Sequence, residues 1–367
     1  MKTLHLNQLT LVQFKNLAEV NLNLSDKVNC FVGDNGAGKT NILDAIYYLS
    51  FCKSYFNPID SQNIQHNTPF FMVQGEYKKD DKAEQIYCGI KKGQKKLFKR
   101  NKKEYERLSD HIGMIPLVMI TPYDVELIYE GSETRRKFLD GIISQYNKQY
   151  LEHIMQLNKV VAQRNATLKG MAKSGYYDAT LLSIYNEQLI SLAPKIHSER
   201  QAFLTEFIPL FNELYSTLSN DAETVSLSYD SNLNETSMTD LLLKSAEKDR
   251  YKQYTTEGPH KDDLTFLIGD KPLKKFGSQG QQKSFLISLK LAQYQFIAAK
   301  TNTKPLLLLD DIFDKIDETR AQNLMDLVSV PSFGQLFITD THPTRVQSLF
   351  EDKQIAISVF EVNQGAV

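Results

Sequence analysis

From Leu4 to Leu24 apolar and polar residues alternate: Leu4, Leu6, Leu9, Leu11 and Phe14, then Val20, Leu22 and Leu24. A period of two is that of a half-buried strand, so the stretch predicts two strands reversing near Phe14-Lys15-Asn16-Leu17. Residues 27–32 end in a strand-like run. Residues 41–49 are helical, with Ile42, Leu43, Ile46 and Leu49 on one face, and the helix stops before Pro58. Residues 70–77 and 85–91 read as paired strands around a charged turn, and Asn101-Lys102 offers a second hairpin turn.

From Gly131 the period changes to that of a helix. Residues 134–159 carry Phe138, Leu139, Ile142, Ile143, Tyr146, Leu151, Ile154 and Met155 at helical spacing. A polar break at 169–176 precedes a second helical stretch, 181–218, which Pro194 and Pro209 should kink or interrupt. Without sustained heptads this is a helical hairpin or small bundle, with no long coiled coil. Strand character returns at Val225, Leu227 and Tyr229, followed by a helix over 238–251, a turn at 258–263 and a strand over 264–268. A helix follows Gln282 and runs to Lys300. Leu306 to Leu309 is an unbroken apolar run ending in Asp310, which suits a strand covered on both faces in a mostly parallel sheet. A helix over 318–328 and a buried strand over 335–339 complete the pattern. The chain reads as an α/β protein whose head, residues 1–112 and 223–367, is split by a helical insertion, 113–222.

The 367 residues give room for two or three domains, and 41% hydrophobic with 24% charged is an ordinary globular composition. The net charge of −1 excludes a polycation, so any nucleic-acid contact must be a local patch. One candidate is the run Lys91, Lys92, Lys95, Lys96, Lys99, Arg100, Lys102 and Lys103; Arg135-Arg136 is another. The run reads equally well as a solvated edge hairpin or as a surface for phosphates. Cys30, Cys52 and Cys88 form no CxxC pair, which fits reduced thiols in the cytoplasm, with Cys30 a small core residue. The N-terminus has no apolar signal core and no run is long enough to cross a membrane, so a cytoplasmic protein is expected.

The chemistry begins at Gly33-Asp34-Asn35-Gly36-Ala37-Gly38-Lys39-Thr40, a G-x-x-x-x-G-K-T sequence between the predicted strand and helix. In this order backbone N–H groups curl round phosphate oxygens and the helix N-terminus adds partial positive charge. Lys39 would reach the β- and γ-phosphates and the Thr40 hydroxyl would ligate Mg²⁺. Asp310, at the tip of the apolar strand, is the second Mg²⁺ ligand, and Asp311 is placed to orient or deprotonate a water. Gly277-Ser278-Gln279-Gly280-Gln281-Gln282 directly precedes a helix and resembles the signature motif of ABC-type ATPases. Taken alone it is a Ser-capped turn. With the P-loop and the acid-tipped strand in order, it reads as a second phosphate-binding N-terminus; the resemblance to that superfamily implies that Ser278, Gly280 and Gln281 face the nucleotide of a partner copy. Asp317 lies where that superfamily has its D-loop. His342 is followed at once by Pro343 and reads as a surface turn, leaving Thr339 or Asp340 as the γ-phosphate sensor.

Taken together, the chain resembles the RecF family of SMC-like ATPases over nearly its whole length. The resemblance rests on Phe14-Lys15-Asn16, residues 33–41, Asp44-Ala45-Ile46 and Thr121-Pro122-Tyr123-Asp124. It continues in residues 135–140, Gln163-Arg164-Asn165, residues 258–263, 278–282 and 308–311. It departs at Ser54-Tyr55-Phe56, where many relatives carry Ser-x-Arg, so no nucleotide-contacting arginine transfers to Phe56; Glu133-Thr134 also departs from the usual loop. The resemblance implies an ABC-type P-loop ATPase head with a mixed sheet, a β subdomain and an inserted helical subdomain. It implies an ATP-driven homodimer that binds double-stranded DNA at duplex/single-strand junctions, with a slow ATPase that releases it. It further implies partnership with RecR and RecO in loading RecA during repair and the SOS response. The competing class is the nucleotide-binding subunit of an ABC transporter. Such a subunit shares the three motifs but adds a Gln-containing loop and a well-placed switch histidine. A small-molecule kinase leaves the signature unexplained.

Overall fold

Alternation becomes two strands at the N-terminus, β1 (Leu4–Phe14) and β2 (Leu17–Asn23), antiparallel with Phe14 opposite Leu17. β3 (Val28–Val32) is buried at every position and leads into α1 (Lys39–Phe51). Then come β4 (Phe70–Lys79), β5 (Lys82–Lys91), β6 (Leu97–Arg100) and β7 (Lys103–Glu104), each antiparallel to the last. The β6–β7 turn is Asn101-Lys102, both at positive φ (51° and 69°), the backbone that tight hairpins require. β8 (Leu117–Ile120) follows, and after it α2 (Glu126–Tyr129), α3 (Ser132–Tyr146), α4 (Lys148–Ser174) and α5 (Ala179–Ser219). The rest runs β9 (Val225–Asp230), α6 (Met238–Lys252), β10 (Asp263–Ile268), β11 (Lys271–Pro272), α7 (Leu273–Phe276) and α8 (Gln279–Thr301). It ends with β12 (Leu306–Leu309), α9 (Glu318–Val328), β13 (Leu336–Asp340) and β14 (Ile357–Glu361). This computed structural model describes residues 1–219, 223–315, 318–342, 345, 348, 350 and 355–367, with backbone alone at 314, 315 and 318–320.

The described residues divide into two units. The first, Met1–Asp124, Leu214–Asp221 and Lys283–Val367, contains two sheets. One is antiparallel, in the order β2-β1-β4-β5-β6-β7; the other is parallel, in the order β14-β3-β13-β12-β8. β3, β8, β12 and β13 are buried at every position, as strands covered on both faces must be, which explains the unbroken apolar runs of β8 and β12. Gln335 is a polar exception inside this core: it accepts from the Leu6 N–H at 2.7 Å and donates to Leu6 O and Ser25 O at 2.8 and 2.6 Å. It thus ties the start of β13 to β1 without leaving a buried amide unpaired.

The second unit, Val125–Glu213 and Ala222–Gln282, holds the helices α2–α4, most of α5, α6 and α7, and the antiparallel sheet β11-β10-β9. Its bounds differ from the expected insertion. Residues 113–124 belong to the first unit, because β8 pairs with β12, and residues 223–282 belong with the helices. The expected helix over 134–159 is two helices. Asn147 separates α3 from α4 and caps the latter, accepting from the Tyr150 N–H at 3.0 Å. Pro194 and Pro209 both lie inside α5, which remains one helix of 41 residues. Each proline costs about 3 kcal/mol in a helix interior. Burial of Leu189, Ala193, Ile196, Phe203, Phe207 and Phe211, at roughly 1.5–3 kcal/mol for each large side chain, outweighs that cost.

Candidate nucleotide site and signature loop

The loop after β3 is shaped by glycines that no other residue replaces. Gly33 has φ 152°, and a Cβ there would lie 2.2 Å from the Val362 carbonyl oxygen; Gly38 has φ 121° and packs against the Asn16 amide. Asn16 donates to Gly36 O and Ala37 O at 3.3 and 3.2 Å and accepts from Asn41 Nδ2 at 2.7 Å. The Gly365 N–H donates to Ala37 O at 2.9 Å, and Gly365, at φ 84°, is pressed against the backbone of Asn16. The β1–β2 turn and the segment after β14 therefore brace the loop from behind. Asp34, Asn35 and Gly36 form its exposed crest, and Ala37, Gly38 and Lys39 are buried. α1 starts with no side-chain cap; the Asn41 N–H is taken by Gly38 O at 3.0 Å, which leaves the Lys39 and Thr40 amides to an anion. The Lys39 ammonium sits at the centre of the curl, donating to Gly33 O at 2.7 Å and Asp34 O at 3.1 Å.

The Thr40 hydroxyl donates to Asp310 Oδ1 at 2.8 Å, joining residues 270 positions apart. Asp310 stands at the end of β12 and is 2% exposed. Burial pushes its carboxyl up to about 6; the Thr40 and Thr339 hydroxyls oppose that rise, and the Asp311 charge adds to it. A hydroxyl and a carboxylate from adjacent element ends are the two hard oxygen donors that a P-loop Mg²⁺ site takes from protein. The residues present fit that ion. Asp311 follows at φ 42°, a left-handed backbone that turns the chain sharply after the strand. Its N–H donates to Thr339 Oγ1 at 2.8 Å, and Thr339 Oγ1 lies 2.9 Å from Asp310 and 3.2 Å from Asp311. Thr339 is thus the residue of β13 that touches both acids. Asp340 turns to the His342 N–H at 2.6 Å and to Arg345 at 3.5 Å. The His342 side chain is exposed.

Lys39, Thr40, Asp310 and Asp311 come together in the first unit, as the spacing predicts. Ser278, Gly280 and Gln281 lie in the second. There the Gln281 N–H donates to Ser278 Oγ at 3.2 Å and the Ser278 N–H donates to Gln281 Oε1 at 2.7 Å. That reciprocal pair is a capping box on an exposed helix start, so the Ser-cap reading also holds. Asp317 lies outside the described residues. Arg135 and Arg136 are only partly exposed, and both are tied to the fold. Arg135 grips Asp263 with Nε and Nη2 at 2.7 and 2.9 Å, and Arg136 donates to Asp262 O at 2.6 Å. In the lysine-rich hairpin, Lys96 is bound to Asp60 and Cys52 O, and Arg100 is paired with Glu84, while Lys91, Lys92, Lys95, Lys102 and Lys103 remain exposed. No described helix is long and apolar enough to cross a membrane.

A strand–P-loop–helix one strand away from an acid-tipped parallel strand, on a chain whose second unit carries a Ser-capped helix start of signature-like sequence, defines an ABC-type ATPase head. Residues 5–366 match the model of the RecF/RecN/SMC N-terminal domain. The chain is 51% identical to the DNA replication and repair protein RecF of Flavobacterium johnsoniae, over 98% of this chain and all of that one. It is 48% identical to the RecF of Bacteroides thetaiotaomicron, over 99% and 98%. A solved structure of the recombination mediator RecF with ATP, from the RecFOR pathway, is 28% identical and has a TM-score of 0.89, covering 99% of this chain and 96% of its own. The Smc head of Pyrococcus furiosus, at 16% identity and TM-score 0.59, shares the fold over 100% of this chain and 95% of its own. The chain belongs to the RecF family.

Proposed function

We propose that this protein is an ATP-gated DNA-binding recombination mediator. The observation that carries the reading is the joining of Thr40 to Asp310, in a family whose solved member holds ATP. ATP is gripped by the 33–40 loop, with Lys39 on its terminal phosphates. Thr40 and Asp310 would hold Mg²⁺, which would offset the charge of the phosphate oxygens. A second copy closes the site with its Ser278, Gly280 and Gln281, whose helix N-terminus meets the γ-phosphate, and with its Asp317. Assembly is then linked to nucleotide by mass action. Asp311 orients the attacking water, and Thr339, which touches both acids, senses the γ-phosphate. Hydrolysis is slow and reopens the dimer.

The closed dimer grips duplex DNA at duplex/single-strand junctions. The exposed lysines of the 91–103 hairpin supply phosphate contacts. RecR and RecO are its partners, and RecA loading in the cytoplasm, during repair and the SOS response, is the outcome. The exposed His342 and the whole-length similarity to RecF relatives make a transporter subunit the weaker reading. One gel-shift series decides: duplex DNA, with and without ATP and Mg²⁺, across salt. Binding that strengthens with ATP and falls steeply with salt supports the proposal; binding indifferent to ATP refutes it. Copurification with membranes would favour the transporter.

A further inference from the structure

The signature loop is held from beneath by one buried side chain. Gln282 is 6% exposed, and its amide nitrogen donates to Leu273 O at 3.3 Å and Gly277 O at 3.1 Å. These carbonyls bracket α7 and the residue just before Ser278. The Gln282 amide oxygen accepts from the Tyr129 hydroxyl at 2.9 Å, which fixes which way the amide faces. Tyr129 ends α2, and Lys274 of α7 donates to its carbonyl at 2.7 Å. One step further out, Arg135 Nη1 donates to Leu127 O and Glu130 O at 3.0 and 2.9 Å while its other nitrogens hold Asp263. Arg135 thus anchors the carbonyl end of α2 to β10, and α2 presents Tyr129 to Gln282. Gly277 completes the fit: a Cβ there would lie 2.7 Å from the Leu273 side chain and 3.3 Å from Gln282.

We propose that Gln282, oriented by Tyr129 and through α2 by Arg135, is the positioning residue of the signature loop. It sets where the Ser278 N–H and hydroxyl stand when a second copy's nucleotide meets them. The proposal rests on the reading of Ser278 given above and adds residues that touch no nucleotide. Without the Tyr129 hydroxyl the Gln282 amide is free to turn: Gly277 O loses its side-chain donor, and Leu273 O is left with the Gly277 N–H alone, at 2.9 Å. The 277–281 backbone then samples placements that cannot close on a phosphate, and assembly weakens in proportion to the competent fraction lost.

The test uses the full chain, unaltered and as Tyr129→Phe, Gln282→Leu and the double variant. Hydrogen exchange of the monomer is followed at residues 277–281, and the dimer dissociation constant is measured by sedimentation with ATP and Mg²⁺. Both single variants should exchange faster at 277–281, with β9, β10 and α3 unchanged. Their dimer dissociation constant should rise about five- to ten-fold, the scale of one net hydrogen bond. The double variant should match Gln282→Leu, because both changes break one link. Unaltered exchange and assembly would overturn the proposal. So would faster exchange spread across the whole unit, which signals lost stability rather than lost placement. If the unaltered chain failed to dimerise, the reading of Ser278 would fall, and exchange at 277–281 would still decide whether Gln282 places the loop.

Discussion

Replacing Arg200 with Met tests what holds the helical unit together. The Arg200 side chain is 1% exposed. Its Nη1 donates to Pro259 O at 2.8 Å and Asp262 Oδ2 at 2.9 Å, Nη2 reaches Asp140 Oδ1 at 2.9 Å, and Nε donates to the Tyr150 hydroxyl at 3.0 Å. Methionine fills much of the same space but strands Asp262, whose side chain is 3% exposed. Removing one partner of a buried pair costs about 3–5 kcal/mol, chiefly through the charge left behind. Asp140 is 21% exposed and recovers some water, and Asp262 keeps its hydrogen bond from Tyr229, so the lower half of that range is expected, about 3–4 kcal/mol. The chain has no tryptophan and two units, so a single unfolding curve is a poor gauge. Hydrogen exchange of the β10 amides reads the right unit. Asp262→Asn in the Arg200→Met background should restore part of the loss, because it removes the stranded charge. A cost below about 1 kcal/mol, or a double variant worse than Arg200→Met alone, would refute the reasoning.

His111 gives a pH signature. It is fully buried, with Nε2 on Leu49 O at 2.7 Å and Nδ1 on the Tyr105 hydroxyl at 3.0 Å, and burial pushes its imidazole from 6.5 down to about 4. The unfolded chain takes up that proton first, so the contribution is complete above pH 6.5 and is lost as pH falls toward 4. It is worth about 3 kcal/mol at most. His111→Gln should flatten that part of the stability–pH curve for the first unit; an unchanged slope would argue against the assignment. Gly365→Ala should weaken binding of a fluorescent ATP analogue at least ten-fold, although Gly365 touches only the back of the loop, because its Cβ would stand 2.2 Å from Asn16 O. Neutralising Lys91, Lys92, Lys95, Lys102 and Lys103 to Gln should lower duplex affinity. The salt slope should shrink by up to about 0.9 for each phosphate that is no longer neutralised, with ATP binding intact. An unchanged slope would place the DNA elsewhere.

The nucleotide half of the molecule was legible because its chemistry is local. Gly33 to Thr40 and Asp310-Asp311 carry their geometry in a few adjacent residues, and β12 announces itself as an apolar run that ends in acid. β8 was absorbed into the helical insertion because Leu117 to Ile120, although as long and as apolar as β12, ends in no acid or motif, and only its pairing with β12 marks it as a strand. β14 went unseen because its burial is partial, with two of its five residues exposed. The braces of the loop, Val362 and Gly365, lie at the far end of the chain, where no spacing rule connects them to Gly33. Arg164 and Arg200 sit on helix faces that read as ordinary polar positions. Arg164, 2% exposed, reaches Asp249 at 2.7 Å and Thr255 at 2.9 Å, and that burial was set by partners distant in sequence. Arg135 illustrates the same limit in reverse: a pair of arginines suggested a surface for phosphates, and the fold spent Arg135 on Asp263 and the end of α2.

The central claim is that ATP clasps two copies of this chain. Sedimentation of the Asp311→Asn variant, which should bind ATP and Mg²⁺ without turning them over, addresses it most directly. The account predicts a monomer without nucleotide, a dimer with ATP and Mg²⁺, and a monomer again when Ser278→Arg is added while the P-loop still binds nucleotide. A strict monomer at saturating ATP, or a Ser278→Arg chain that dimerises as before, would contradict it.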